Sequence, residues 1–256
     1  MSLRLLSGIL LLLSGVIAAG AQTLPTDTQS HTARERAQPS YKAGLDYVRR
    51  EDYKSALRAF QTAVEIDDTF EMAHYMIGRA QLALRSYPEA VQALSKARHL
   101  YASMGTTQFT SDQERERYRR DRLNTLEATL DSLRAITPQT QPIRESIRQL
   151  EEQKRQVEDM DRVRSRSQAP SVPAFVSLSL GSAYFRAGRL AEAEGAYLDA
   201  VAADPKSGEA HNNLAVVYMQ TGRLDAAERA VRSAEQTGFH VQPALKDEIK
   251  KKKSGG

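Results

Sequence analysis

Small and large apolar residues recur along the chain with a period of 34 residues, in two separate stretches. In the first stretch Gly44 is followed 34 positions later by Gly78, and in the second Leu180 is followed by Leu214. Within each period the apolar residues fall three and four positions apart, the spacing of one face of an α-helix. The pattern predicts pairs of helices, each pair stacked on the next. Further pairs at the same separation are Tyr53 with Tyr87, Ala56 with Ala90, Ala63 with Ala97, Tyr184 with Tyr218, Gly188 with Gly222, Leu190 with Leu224, Ala193 with Ala227 and Ala200 with Ala234.

Each period places small residues where its two helices would cross. On the first helix Gly181 allows close approach, and Tyr184, three residues later, fills the space beside it. On the second helix Ala193 occupies the crossing, where a longer side chain would push the helices apart, and Tyr197 follows on the same face. Equivalent small residues are Gly44, Gly78 and Ala215 on first helices and Ala56, Ala90 and Ala227 on second helices.

The C-terminal stretch resembles the tetratricopeptide repeat family. The resemblance implies an all-α solenoid of helix-turn-helix units, in which the first helices line a concave groove that binds peptides or protein segments. Two repeats precede a long insert and two follow it, and we expect the two pairs to pack together, because about three repeats are needed for stability. The matching residues are Leu180-Gly181-x-x-Tyr184, Ala193, Tyr197, Ala200 and Pro205, and the repeats cover 37–70, 71–104, 174–207 and 208–241.

The insert, residues 105–173, does not continue the 34-residue pattern. Leu123, Leu126, Leu130 and Leu133 recur at helical spacing, and a second apolar series begins at Ile143. These residues predict a long antiparallel helical hairpin, rich in charge on its outer faces. Two interpretations stay open: the hairpin packs on itself or on the repeats, or its apolar side, within residues 112–166, pairs with a second copy or a partner's coiled coil.

The two ends of the chain have separate features. Residues 1–21 form a predicted secretory signal peptide, with an apolar run and the cleavage sequence Ala19-Gly20-Ala21. We expect cleavage after Ala21, an uncleaved anchor being the alternative, and a disordered spacer over 22–36. Residues 242–256 predict a C-terminal capping helix with a Lys-rich tail. The absence of cysteine fits a bacterial periplasmic or secreted protein.

Composition and charge narrow the function. With 41% hydrophobic residues the chain is too apolar to be wholly disordered, and without cysteine it has no disulfide or thiolate zinc site. The basic excess resides in the tail, so no nucleic-acid surface is predicted. Lys250–Lys253 offers a membrane contact, although such a run more often solvates a helix C-terminus. No catalytic motif, cofactor loop or metal-ligand spacing is present, which argues against an enzyme.

The outward face of each first helix supplies the candidate binding residues. Aromatic and apolar side chains alternate there with arginines, a combination that suits a peptide with apolar anchors and a carboxylate. We therefore predict a non-catalytic interaction adaptor of the bacterial cell envelope, without cofactor or metal. The alternatives are a homo-oligomer assembled through the hairpin and a membrane-surface protein held by its Lys tail. The candidate groove residues are Tyr41, Arg49, Tyr75, Arg79, Phe185, Arg186, Asn212 and Met219.

Overall fold

The computed structural model describes residues 28–104, 112–138, 141–158 and 172–255, and within these ranges it contains eleven α-helices and no strand. The predicted signal peptide, residues 1–21, lies outside the described residues. The prediction of an all-α architecture is confirmed. The helices are α1 Thr28–Arg49, α2 Tyr53–Ile66, α3 Glu71–Ala83, α4 Tyr87–Met104, α5 Asp112–Arg134, α6 Gln141–Glu158, α7 Ala174–Arg186, α8 Leu190–Ala203, α9 Gly208–Gln220, α10 Leu224–Gln236 and α11 Pro243–Ser254.

Eight of these helices form one continuous solenoid. The pairs α1–α2, α3–α4, α7–α8 and α9–α10 are the four helix-turn-helix units, and α2 packs on α3, α4 on α7, and α8 on α9. The insert therefore leaves the second and third repeats in direct contact. Across this junction the rings of Tyr75 and Phe175 meet edge to face, with centroids 4.7 Å apart. The expectation that the two repeat pairs pack together agrees with this contact.

Glycine on the first helix makes room for a large side chain on the second. A Cβ atom added at Gly44 would lie 2.4 Å from Cε1 of Phe60, and one added at Gly181 would lie 2.5 Å from Cδ1 of Tyr197. Both distances are far inside van der Waals contact, so no residue larger than glycine fits without moving the partner ring. The structure thus shows which large residue each small residue accommodates.

The first helix begins earlier than the sequence indicated. Residues 28–36, placed in a disordered spacer, are the first turns of α1, which continues through Pro39. Proline in a helix interior removes one backbone hydrogen bond and normally ends the helix. Here tertiary contacts outweigh that cost, because Ala37 and Tyr41 are fully buried and Arg34 binds the carboxylate of Asp67. The spacer prediction for 28–36 is therefore wrong.

Helix α5 and helix α6 lie antiparallel to each other, and α11 closes the far end of the solenoid. Ion pairs between Arg134 and Glu151, 2.7 Å, and between Lys154 and Glu127, 2.9 Å, set the antiparallel register of the hairpin. At the C-terminus the 1% exposure of Ile249 shows that α11 covers the last repeat.

The turn inside each repeat contains a residue in the left-handed conformation at the same repeat position. It is Glu51, Arg85, Gly188 and Gly222 in the four repeats, with φ angles of 58°, 61°, 76° and 74°. Glycine adopts this conformation without a steric penalty, whereas a residue with a Cβ atom does not. The first two repeats consequently contain backbone strain that the last two avoid.

We expect Gly188→Ala to lower the free energy of unfolding by about 1 kcal/mol, because no neighbour approaches the added methyl group and only the backbone conformation opposes it. Gly195→Ala is the matched control: its added Cβ is equally uncrowded, but it lies within α8. There alanine should raise the free energy of unfolding by up to about 1 kcal/mol. Urea titrations that gave both variants the same sign would contradict this account.

Candidate functional site

The candidate site is the surface of the first helices α1, α3, α7 and α9 from which the predicted binding residues project, here called the inner face. In the first repeat this face is covered by α5, which also reaches the start of α3. The hydroxyl groups of Tyr41 and Thr129 are 2.7 Å apart, and Nε2 of Gln38 donates to Oγ1 of Thr125 at 2.9 Å. Tyr41 is fully buried, and burial raises the pKa of its phenol well above the ordinary value. The prediction that Tyr41 lines an open groove is therefore wrong, because the chain's own hairpin occupies that position.

A buried carboxylate joins the hairpin to the repeats. Glu71, in the first turn of α3, is 2% exposed and accepts hydrogen bonds from two arginines. Nη1 of Arg122 on α5 lies 2.6 Å from Oε1, and Nη2 of Arg34 on α1 lies 3.1 Å from Oε2. Arg34 also reaches Oδ2 of Asp67 at 2.5 Å and the carbonyl oxygen of Thr69 at 3.0 Å. Each carboxylate oxygen of Glu71 thus has a cationic partner, which a buried charge requires.

The second helix of the hairpin contacts the turn between α8 and α9. Arg148 and Gln149 both donate to Oδ2 of Asp204, at 2.5 and 3.3 Å. One turn earlier on α6, Glu145 lies at the start of α9 beside Glu209. Burial, followed by the charge of Glu145, raises the pKa of Glu209 to about 7, although Arg79 opposes the shift. This contact therefore combines one favourable ion pair with two neighbouring carboxylates.

The other predicted site residues divide between core and surface. Tyr75 is 5% exposed and Met219 is 7% exposed. Both therefore belong mainly to the core, whereas the sequence predicts that they line an open groove. Phe185 is half-buried and packs on the second hydrophobic core, which contains Met219. Asn212 is also half-buried. The exposed candidates are Arg49, which pairs with Asp46, Arg79, whose guanidinium lies 5.9 Å from the Tyr75 ring centre, and Arg186.

The part of the inner face that lies away from α5 includes the third and fourth repeats. Arg186 and Gln220 are exposed there, and Leu178, Asn212 and Val216 are half-buried beside them. Sequence reasoning missed the groups that hold the hairpin, namely Glu71 with Arg122 and Asp204 with Arg148. No periodic signal pairs Arg122 with Glu71, which is 51 residues away in a different kind of segment.

Histidines at equivalent positions of the second and fourth repeats support the turns that precede α3 and α9. Nε2 of His74 lies 2.9 Å from the carbonyl oxygen of Asp68, and Nε2 of His211 lies 3.1 Å from that of Pro205. Each ring nitrogen can donate to that carbonyl, six residues earlier in the chain. Burial lowers the pKa of His74, which favours the neutral ring. Across the described ranges no group of three His, Asp or Glu side chains is placed to hold a metal ion.

The fold and this face define an all-α helical-repeat protein in which an inserted hairpin covers part of a repeat surface. The sequence profile of the tetratricopeptide repeat family matches residues 41–104 and 178–238. The matched residues lie within the four helix-turn-helix units, so the solenoid is of the tetratricopeptide type. No curated protein matches the sequence.

Solved structures show partial overlap with the chain. PilW, described as a widely conserved type IV pilus biogenesis factor, is 16% identical, with 86% of this chain and 87% of PilW covered and a TM-score of 0.41. A thermophilic TPR protein of Thermus thermophilus is 23% identical, with coverages of 85% and 97% and a TM-score of 0.33. The MamA protein is 15% identical, with coverages of 79% and 92% and a TM-score of 0.27. The repeat assignment rests on the family match and the helix packing.

We expect Glu71→Gln to lower the free energy of unfolding by about 3 kcal/mol, because Arg34 and Arg122 then share a buried partner without charge. Asp68→Asn is the control, since the Asp68 side chain is 77% exposed and its pair with Lys96, at 3.9 Å, is a surface pair. Urea unfolding measures both changes. A loss below about 1 kcal/mol for Glu71→Gln would show that the carboxylate does not hold these helices together.

The raised pKa of Glu209 predicts a pH dependence. Its pKa is about 7 in the folded protein, above the ordinary value of 4.5, so the folded state retains the proton more tightly than the unfolded state does. Stability should therefore fall as the pH rises from about 4.5 to 7 and stay level, for this group, at higher pH. Glu209→Gln should raise the melting temperature at pH 8 and leave it almost unchanged at pH 4.5. The exposed substitution Glu65→Gln is the control, and an equal effect of both substitutions at pH 8 would contradict the assignment.

Proposed function

We propose that this protein is a non-catalytic protein-interaction scaffold, and that its inner face in the third and fourth repeats binds a peptide or protein segment. The observation that carries the proposal is the stack of four tetratricopeptide repeats, with two of its first helices, α7 and α9, left accessible. The half-buried side chains of Leu178, Phe185 and Val216 offer apolar contact area. Arg186 and Asn212 beside them supply a cation and an amide, which suit a carboxylate and a peptide backbone.

The proposal places the protein in the bacterial cell envelope. Support comes from residues 1–21, whose apolar run and small cleavage residues are typical of an export signal. In the part of the chain that the structure describes, none of the helices is long and apolar enough to cross a bilayer.

The two alternative functions receive less support. Leucines of the hairpin that were candidates for self-association, including Leu126 and Leu130, are 1% and 2% exposed within a single chain. Lysines of the tail helix are partly neutralised by the preceding repeat. Lys253 lies 2.7 Å from Asp225 and 3.0 Å from Glu228, and Lys246 lies 2.9 Å from Glu235. We therefore favour the inner face as the binding surface over the hairpin surface or the Lys tail.

Crosslinked capture of partners from an envelope extract tests the proposal. The variant Arg186→Glu with Asn212→Ala changes the accessible inner face without altering a fully buried side chain, so it should fold. The amount of partner that it captures should be at least tenfold lower than that captured by the wild type. The control is Arg232→Glu with Gln236→Ala, two exposed residues of α10, a second helix. A partner captured equally by both variants would place the binding surface elsewhere and overturn the proposal.

A further inference from the structure

A row of polar contacts joins the hairpin to the repeats. Three residues on one side of α5 make these contacts: Arg122 with Glu71, Thr125 with Gln38 and Thr129 with Tyr41. Their spacing of three and four residues follows one face of the helix. Inside the repeats, by contrast, first and second helices meet through alanine, leucine and aromatic residues. Leu126 and Leu130 of α5 extend this apolar core, so the junction between hairpin and repeats combines buried polar contacts with apolar burial.

This junction is also incompletely hydrogen-bonded. Among the described residues, the buried side-chain oxygens that lack a hydrogen-bond partner lie mostly on α6 or on the part of α1 that faces α5. A buried acceptor without a partner costs free energy that exposure to water would recover. The hairpin is thus held less completely than the helices of the solenoid. These oxygens are Oε1 of Gln38, Oε2 of Glu145, Oε1 of Gln149 and Oε1 of Gln153, with Oε1 of Gln81 as the remaining one.

The solenoid does not depend on the hairpin for its continuity. Helix α4 packs directly on α7, and the ring of Phe175 contacts Tyr75 at 4.7 Å and Tyr101 at 6.2 Å. Removal of α5 from the inner face would leave this junction in place. It would expose Tyr41 and leave Glu71 with a single arginine partner, Arg34.

We propose that α5 is a releasable internal ligand of the inner face of repeat one, and that the partner which replaces it is an amphipathic α-helix with an arginine opposite Glu71. The proposal rests on the proposed function and adds the class of partner. The hairpin is then autoinhibitory, because an incoming helix must compete with a segment of the same chain. The chemistry required of that helix follows from α5 itself: a cation for Glu71, then small hydroxyl side chains three and seven positions later for Gln38 and Tyr41.

The test supplies α5 as a separate molecule. A fluorescent synthetic peptide of residues 112–134 is titrated into the full chain and into the variant Thr125→Asp with Thr129→Asp, which places carboxylates against Gln38 and Tyr41. The wild-type chain should exclude the peptide, because the tethered α5 has a high effective concentration. The variant releases its own α5 and should bind the peptide at least tenfold more tightly than wild type. The matched control variant, Gln113→Asp with Asn124→Asp, adds the same charge at exposed positions of α5 and should behave as wild type.

A second peptide tests the arginine. The same peptide with Arg122→Glu should bind the double variant at least tenfold more weakly, because it brings a carboxylate to Glu71. Equal binding of the two peptides, or equal binding of the first peptide to variant and wild type, would overturn the proposal. Circular dichroism checks that the double variant keeps its helices. If it does not, the single variant Thr129→Asp replaces it, and the same outcomes decide.

This experiment uses no natural partner, so it separates the inference from the proposed function. Peptide binding that fails while partner capture still depends on Arg186 and Asn212 would overturn the internal ligand alone. Peptide binding that succeeds while capture does not depend on those residues would overturn the site proposed in repeats three and four.

Discussion

The carboxylate of Glu71 connects three separate parts of the chain. It belongs to the second repeat, and it accepts hydrogen bonds from Arg34 in the N-terminal helix and from Arg122 in the hairpin. Because the side chain is almost completely buried, water cannot stabilise its charge, and each arginine is needed for that purpose. The extension of α1 before Pro39 and the position of α5 both depend on this interaction. The position of Glu71 in the first turn of α3 stabilises its carboxylate further, since a helix N-terminus favours negative charge.

A repeat solenoid accepts such an insert because each repeat contacts only its neighbours. The chain leaves the solenoid after α4 and returns to it before α7, at a connection between repeats. The contact of α4 with α7 takes the place that α2–α3 and α8–α9 occupy elsewhere in the stack. The hairpin therefore adds a surface without interrupting the core. What it changes is access, because α5 lies over the first helix of repeat one.

The 34-residue period predicted the repeat helices because their packing is local. Gly181 and Tyr197 meet within one repeat, and a short-range pattern can reveal such a pair. The same pattern could not reveal whether Tyr41 is open or covered, since a tyrosine that faces a groove and one that faces α5 have the same spacing. The start of α1 was missed for a related reason: Arg34 is bound by Asp67, 33 residues later, and no local rule weighs that contact against Pro39.

The hairpin contacts the repeats in two places, one through α5 and one through α6, and the electrostatics of these two contacts differ. At α5 a carboxylate meets two arginines, so ionisation of all three groups favours the contact. At α6 the carboxylates of Glu145 and Glu209 are neighbours, so ionisation of both opposes the contact, whereas the ion pair of Arg148 with Asp204 favours it. Protonation of Glu209 near neutral pH therefore removes a repulsion from the α6 contact. The hairpin is consequently held by an ion pair at α5 and by a pH-dependent contact at α6.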